Sequence, residues 1–115
     1  MTTSTLAADR EAYAELLDAT LSGLPRQLAV LGGVSAAYLC GSAARGRRDL
    51  LTDIDLVVVM NSDEPFVERC ARMRLALVLP VDADVMVYTP EEFARMREER
   101  FLTHALSGAV TIYKA

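Results

Sequence analysis

The chain has 115 residues, 52% of them apolar and 24% charged, with a formal net charge of −4 at pH 7. This composition can build a packed core and excludes a disordered or low-complexity chain, and the length predicts a single domain over residues 1–115. The acidic balance disfavours nucleic-acid binding, because binding through phosphate neutralisation needs a surface rich in Lys and Arg.

The N-terminal segment 1–33 is predicted to be helical. Apolar residues recur at helical spacing over Ala8–Leu21. Gly23 and Pro25 interrupt this pattern, so Pro25–Leu31 is expected either as a second short helix or as a kinked continuation of the first. No signal-peptide pattern is present, and no apolar run comes near the length of a membrane span, which is about 20 residues. A cytoplasmic chain without membrane association is therefore expected.

The core, residues 34–115, contains four short apolar segments that are predicted to be strands. Their ranges are Val34–Cys40, Ile54–Met60, Val81–Tyr88 and Ala109–Tyr113. Ile54–Met60 has the strongest strand pattern because it is rich in β-branched residues.

Helices are predicted between these strands. Apolar residues spaced 4, 3 and 4 apart from Phe66 to Leu77 predict one helix, ended by Pro80. Thr89 followed by proline and two acids begins another, which continues to about Arg97. A short helix is expected over Arg100–Leu106. The order of elements predicts an α/β (α+β) fold in which helices pack on one mixed sheet of about four strands.

Four aspartates lie near the starts of two predicted strands. Asp53 and Asp55 flank Ile54, and because side chains alternate along a strand, both carboxylates face the same way. Asp82 and Asp84 repeat this arrangement. If the strands are neighbours, such a cluster calls for a cation or for shared protons, and oxygen ligands without His or Cys favour Mg²⁺ or Mn²⁺. The structural alternative is that Asp53 caps a turn and Asp82 ends a loop.

A glycine-bounded turn precedes the first aspartate pair. Gly41 can adopt backbone angles closed to other residues, and Ser42 offers a hydroxyl and backbone N–H groups to an anion. Arg45 is expected either to orient the loop or to contact phosphate. The turn is neither a Walker A loop nor a Rossmann fingerprint, since the required spacing is absent.

Together these features form a recognisable signature. Gly41-Ser42-x-x-Arg45-Gly46, five further residues and then Thr52-Asp53-Ile54-Asp55-Leu56 resemble the motif of the DNA polymerase β-like nucleotidyltransferase superfamily, in particular its minimal members. The resemblance extends over about Val34–Tyr113 and implies the polymerase β-like nucleotidyltransferase fold.

The resemblance also implies roles for individual residues. Gly41 and Ser42 match the loop that binds the nucleotide phosphates, and Asp53 and Asp55 match the metal-binding pair. Asp84 matches the third carboxylate, which in catalytic members helps to activate the acceptor hydroxyl.

One of these assignments stays open. Asp82 is a second candidate for the third carboxylate, because it is an additional acid predicted on the face of Asp84. Thr52 stands where serine is more common in the family, and it keeps the hydroxyl.

The activity implied is transfer of a nucleoside monophosphate, AMP from ATP, to a hydroxyl group with Mg²⁺ or Mn²⁺ as cofactor. No acceptor-binding domain is expected after the core, so the acceptor is expected on a partner protein or on a second copy of the chain. Minimal members often occur beside a small helical HEPN protein, and the pair resembles a toxin–antitoxin system. In such a pair the nucleotidyltransferase is the antitoxin and modifies the HEPN-type toxin. Two alternatives remain: a non-catalytic module that neutralises its partner by contact, and transfer to a small molecule.

The remaining polar and sulfur residues are predicted to have structural roles. His104, the only histidine, is expected to pack or to lie at the surface. Arg47 and Arg48 are expected at a solvated surface rather than on phosphate. Cys40 and Cys70 have no reactive partner in the sequence, and they match neither a disulfide framework nor a zinc site.

Overall fold

The computed structural model describes residues 3–99, 103–104 and 106–115. In chain order the elements are α1 (Thr3–Leu31), β1 (Val34–Cys40), α2 (Gly41–Ala44), β2 (Ile54–Met60), α3 (Phe66–Ala76), β3 (Ala83–Tyr88), α4 (Pro90–Met96) and β4 (Val110–Lys114). Over the described residues, no helix combines the length and the apolar character that crossing a bilayer requires.

The four strands form one mixed sheet in the order β3-β2-β1-β4. β1 runs antiparallel to β2 and β4, whereas β2 and β3 are parallel. The parallel pair is possible because α3 supplies the long crossover that such strands need. The predicted α+β fold with a mixed sheet of four strands is therefore confirmed.

The two faces of the sheet are covered unequally. One face is buried under α1 and α3, where Leu17, Leu24 and Leu28 of α1 are fully buried in a core that includes Ile54 and Val58. The opposite face carries a smaller apolar cluster with Phe93 of α4, whose ring stacks on Tyr38 with the ring centroids 5.7 Å apart. The side chains of Asp55 and Asp84 lie on this second, less covered face.

α1 continues through Pro25 as one helix, so of the two alternatives predicted there a separate second helix does not occur and the first helix continues. The proline removes a hydrogen bond to Leu21 and costs about 3 kcal/mol in a helix interior. Full burial of a leucine stabilises by about 1.5–3 kcal/mol, and Leu24 and Leu28 on either side of Pro25 are both fully buried. Their burial therefore offsets the cost of the proline. The helix also begins at Thr3, earlier than the predicted Ala8.

Three further boundaries differ from the predictions or fall partly outside the described ranges. β3 begins at Ala83 rather than Val81, which leaves Asp82 ahead of the strand. α3 ends at Ala76, where the backbone of Leu77 turns extended before Pro80 is reached. The helix predicted over Arg100–Leu106 includes residues outside the described ranges, and its described residues are helical.

α4 is fixed to the rest of the molecule by Arg69 and Glu92. The Arg69 side chain, 8% exposed, forms a two-pronged ion pair with Glu92 and donates a 3.1 Å hydrogen bond to the carbonyl of Val87 on the edge strand β3. Glu92 also accepts from the backbone N–H of Thr89, and the Thr89 hydroxyl accepts from the N–H of Glu92. This capping box confirms the predicted helix start at Thr89.

Candidate active site

Asp55 and Asp84 face each other across the two parallel strands. Their Cα atoms are register partners in the β2–β3 pair. Both side chains lie on the less covered face of the sheet, because the alternating residues Leu56 and Val85 belong to the core on the other face. Asp55 is half-buried and Asp84 exposed. The structure thus brings one aspartate of each predicted pair together.

The environment of Asp55 disfavours its charged form. Burial raises the pKa of Asp55 above its usual value, and the neighbouring charges of Asp84 and Asp53 raise it further. In the described part of the chain, none of these three carboxylates takes part in a salt bridge. The site therefore carries negative charge that no protein cation pairs with.

The other two aspartates differ in position. Asp53, just before β2, is exposed and lies near enough to Asp55 for its charge to act on that carboxyl. Asp82 precedes β3, and its backbone carbonyl accepts a hydrogen bond from the N–H of Ile54. The charges of Asp82 and Asp53 raise the pKa of Tyr13 further, although burial is the larger cause. Asp82 therefore belongs to the Tyr13 side of the site rather than to the Asp55–Asp84 pair.

Gly41 allows the chain to turn directly beside Asp55. It follows Cys40, the register partner of Asp55 in the antiparallel β1–β2 pair. Its φ of +69° is in the left-handed region, and a Cβ atom there would lie 2.2 Å from Oδ2 of Asp55. Any side chain at this position would displace the carboxylate, so glycine is required both for the backbone angle and for the close approach.

Hydrogen bonds hold the loop between α2 and β2 in place. Arg48 donates to the carbonyl of Ala43 at 2.9 Å and pairs with Asp18 of α1 at 2.7 Å. At the end of the loop, the buried Thr52 hydroxyl donates to the Asp49 carboxylate at 3.1 Å. These contacts fix both ends of the segment that leads into β2.

A second contact from α1 reaches the residue before Asp53. The Tyr13 hydroxyl donates a 2.7 Å hydrogen bond to the carbonyl of Thr52. The predicted surface setting of Arg47 agrees with its exposed pair to Asp49, at 2.5 Å. Arg48 differs from the prediction, because it bonds two backbone carbonyls as well as Asp18.

A cavity of about 290 Å³ lies over the carboxylate pair. Four predicted site residues line it: Gly41, Arg45, Asp55 and Asp84. The other two, Ser42 and Asp53, do not line it, although Ser42 follows Gly41 in the chain and the charge of Asp53 acts on Asp55. The remaining lining residues are Cys40, Leu56, Val57, Met86, Tyr88, His104 and Ser107.

Several of these lining residues were not predicted as site residues from the sequence. Val57 and Met86 follow Asp55 and Asp84 by two residues, so strand alternation alone was enough to place them on the same face. His104 was expected to pack or to lie at the surface; it is exposed and it lines the cavity. Its sequence neighbours contain no signal for this, because the contact joins segments that are distant in the chain.

The carboxylates fit a divalent metal in their chemistry. Hard oxygen donors without sulfur or imidazole favour Mg²⁺ or Mn²⁺, and the unpaired negative charge around Asp55 is what such an ion neutralises. Over residues 3–99, 103–104 and 106–115, no three Asp, Glu, His or Cys side chains are grouped closely enough to form a ready-made metal site. Asp53, Asp55 and Asp84 are thus suitable donors that are not gathered into a closed ligand set.

Comparisons with known proteins identify the family of this chain and a structure with a similar fold. The family model of the nucleotidyltransferase domain matches residues 21–106, and the chain belongs to that family. Its fold is similar to that of a chain in a crystal structure of a mutant of the toxin–antitoxin pair MntA–HpeT. The two are 17% identical with a TM-score of 0.52, over 82% of this chain and 72% of the other. A comparison with curated protein sequences found no significant match.

Proposed function

We propose that this nucleotidyltransferase transfers AMP from ATP to a hydroxyl group of a partner protein with the help of Mg²⁺. The observation that carries the proposal is the placement of Asp55 and Asp84 as register partners in one cavity with Gly41 and Arg45. Family membership supplies the reaction class, and the cavity supplies an acidic end for a metal–phosphate group.

The proposed roles of the carboxylates follow from their positions. Asp53 and Asp55 would hold a metal together with the triphosphate, and Asp84 would face the acceptor hydroxyl. Asp84 is preferred to Asp82 as the third carboxylate, because Asp84 lines the cavity and acts on Asp55, whereas Asp82 precedes the strand. When bound, Mg²⁺ supplies positive charge at the phosphates and lowers the pKa of the attacking hydroxyl.

The phosphates would be held by the turn around Gly41. The absence of a side chain there leaves the backbone open to a phosphate oxygen, and Ser42 adds a half-buried hydroxyl beside it. Arg45 is exposed and lines the cavity, and its guanidinium would pair with phosphate there.

The reaction is an in-line displacement at phosphorus. The acceptor oxygen forms a bond to the α-phosphorus of ATP, the bond from that phosphorus to the bridging oxygen breaks, and pyrophosphate leaves. The acceptor proton passes to solvent or to a carboxylate of the site. The chain contributes positioning and charge stabilisation, which are the main sources of catalysis in phosphoryl transfer.

A protein acceptor is proposed because the structural neighbour belongs to a toxin–antitoxin complex. By this analogy the partner would be a toxin of the HEPN type, and modification of one of its hydroxyl groups would silence it. The exposed position of Asp84 leaves the acceptor end of the site open to such a partner.

The test uses α-labelled ATP, Mg²⁺, the purified chain and a lysate of the host. The double variant Asp53→Ala/Asp55→Ala removes the metal donors, and Asp9→Ala/Asp63→Ala removes two exposed aspartates outside the cavity as a matched control. We expect one labelled protein band with the wild type and with the control. The same band is absent with the site variant.

A second candidate function is neutralisation of a partner by contact alone. It is favoured by the lack of a closed metal-ligand group in the described residues. If the Asp53→Ala/Asp55→Ala variant still neutralises the partner while no label is transferred by the wild type, the contact function is correct and the transfer function is wrong.

A further inference from the structure

The candidate active site extends beyond its acidic end, at Asp55 and Asp84, into an apolar region. Val57 and Met86 lie two residues beyond Asp55 and Asp84 along the same two strands, which corresponds to about 7 Å. Both line the cavity, and Met86 is 38% exposed there. A large apolar side chain open to solvent inside a small cavity is suited to being covered by a ligand.

His104 and Ser107 line this cavity from a distant part of the chain. They belong to the segment between α4 and β4, of which Leu106 and Ala109 pack against the apolar cluster on the same sheet face. This packing holds the segment beside the strands. It places an imidazole and a hydroxyl, which each donate or accept hydrogen bonds, in the cavity that Met86 lines.

We propose that His104 and Ser107 determine specificity by contacting the base of the bound nucleotide, while Val57 and Met86 cover a face of its ring. The inference rests on the proposed function, because it takes the acidic end of the cavity as the place of the phosphates. A ribose separates the α-phosphate from the base. The apolar floor of the cavity, formed by Val57 and Met86, begins about 7 Å from the carboxylates, which is similar to the distance that the ribose spans.

The chemistry of the lining matches a nucleobase. A base has apolar ring faces and polar edges, and the cavity offers an apolar floor together with His104 and Ser107 for the edges. The sulfur of Met86 adds a favourable contact to an aromatic ring. The volume of about 290 Å³ is at the lower end of small-molecule sites, which suits a base and its ribose better than a segment of a folded partner.

The test compares two ligands that share only their phosphates. Binding of ATP and of inorganic tripolyphosphate is measured by calorimetry in Mg²⁺ for the wild type, His104→Ala and Ser107→Ala. We expect His104→Ala to weaken ATP binding about tenfold, and Ser107→Ala about threefold, through lost contacts to the base. Tripolyphosphate binding is expected to stay within twofold for both variants.

Arg95→Ala, an exposed position on α4 outside the cavity lining, serves as the control and should change neither ligand. Thermal midpoints confirm that the variants are folded. If both variants bind ATP as tightly as the wild type, or lose both ligands equally, the assignment of His104 and Ser107 to the base is wrong. If the wild type itself binds neither ligand, the proposed function fails and the inference falls with it.

Discussion

A Cβ atom on Gly41 would lie 2.2 Å from Oδ2 of Asp55, so a glycine at the end of β1 sets the position of a carboxylate on β2. The two residues are brought together by the antiparallel pairing, in which Cys40 is the register partner of Asp55. The backbone of the turn at Gly41 and the Asp55 carboxylate are therefore in van der Waals contact. A change in one must move the other.

We expect Gly41→Ala to reduce nucleotidyl transfer by about 100-fold, because the new methyl group displaces the Asp55 carboxylate from its productive position. The left-handed backbone angle adds a stability cost of about 1–2 kcal/mol. The measurement is the initial rate of label transfer, together with the free energy of unfolding in urea.

Gly32→Ala is the matched control for this prediction. Gly32 has a φ of +74°, nearly that of Gly41, but a Cβ atom there meets nothing within 4 Å. The control should lose similar stability and keep its transfer rate. Equal rates for the two variants would contradict the steric role of Gly41.

Replacing Asp55 by asparagine should stabilise the metal-free protein while abolishing transfer. Burial and the charges of Asp84 and Asp53 raise the pKa of Asp55, so its ionised form opposes folding. A raised pKa means that the folded state favours the protonated carboxyl. This stabilises the protein at pH values below the ordinary pKa, and the contribution is lost as the pH rises through the raised value and the carboxyl ionises. The gain for Asp55→Asn should therefore be largest at neutral pH, at about 0.2–1 kcal/mol for a like-charge cross-strand pair.

Urea unfolding in the presence of a chelator, at pH values from 4 to 8, measures this gain. Asp63→Asn, at an exposed position outside the cavity, is the control and should leave the stability unchanged. Adding Mg²⁺ should reverse the ranking, since an ion that binds only the folded wild type stabilises it. A variant that is less stable than the wild type at every pH without metal would refute the role of charge repulsion.

Local patterns in the sequence predicted the strands and the turn before Asp53, because both depend on residue type and alternation. Pro25 left open whether the helix breaks or continues, since the outcome depends on the burial of Leu24 and Leu28 against distant strands, which outweighs the local cost of the proline. In the sequence, the resemblance favoured Asp84 as the third carboxylate but kept Asp82 as a second candidate; the register of β3 against β2 separates them, because it pairs Asp84 with Asp55. The position of His104 in the cavity could not be predicted for the same reason, because no local sequence pattern shows which segments meet in three dimensions.

The ion pair of Arg69 and Glu92 should govern the stability of the protein in acid. The hydrogen bonds from Arg69, followed by that from Thr89, lower the pKa of Glu92 from 4.5 to about 2. A lowered pKa contributes stability above the ordinary value, and this stability is lost as the pH falls from about 4.5 to about 2. Glu92→Gln should cost about 1.5–3 kcal/mol at pH 7, because the buried Arg69 loses its charged partner.

Chemical denaturation of both proteins at pH 7 and at pH 2 to 5 measures this effect, and their stabilities should converge as the pH approaches 2. Glu64→Gln is the matched control, because Glu64 pairs at 2.6 Å with Arg72, whose side chain is 74% exposed. An exposed pair contributes at most about 1 kcal/mol. If the two substitutions have the same effect, burial of Arg69 is not what makes the first pair important.

Thr52 links the loop to the start of β2 through its hydroxyl, so we expect Thr52→Val to destabilise the protein and Thr52→Ser to preserve the loop. The Thr52 side chain is fully buried and donates to the Asp49 carboxylate, while the N–H of Asp49 donates back to the same hydroxyl at 3.1 Å. Valine has nearly the same shape without the hydroxyl, so the substitution removes both hydrogen bonds, each of which contributes about 0.5–1.5 kcal/mol. Because Asp53 is the next residue, transfer should fall as well.

The free energy of unfolding and the Mg²⁺ dependence of the transfer rate, measured for both variants, separate the two effects. Thr52→Val should need more Mg²⁺ for half-maximal rate, since a loosened loop no longer holds Asp53 beside Asp55. Thr52→Ser keeps the hydrogen bonds and loses one methyl group, so its Mg²⁺ requirement should equal that of the wild type. A serine variant that behaves like the valine variant would show that packing of the Thr52 methyl group, rather than its hydroxyl, positions the first aspartate.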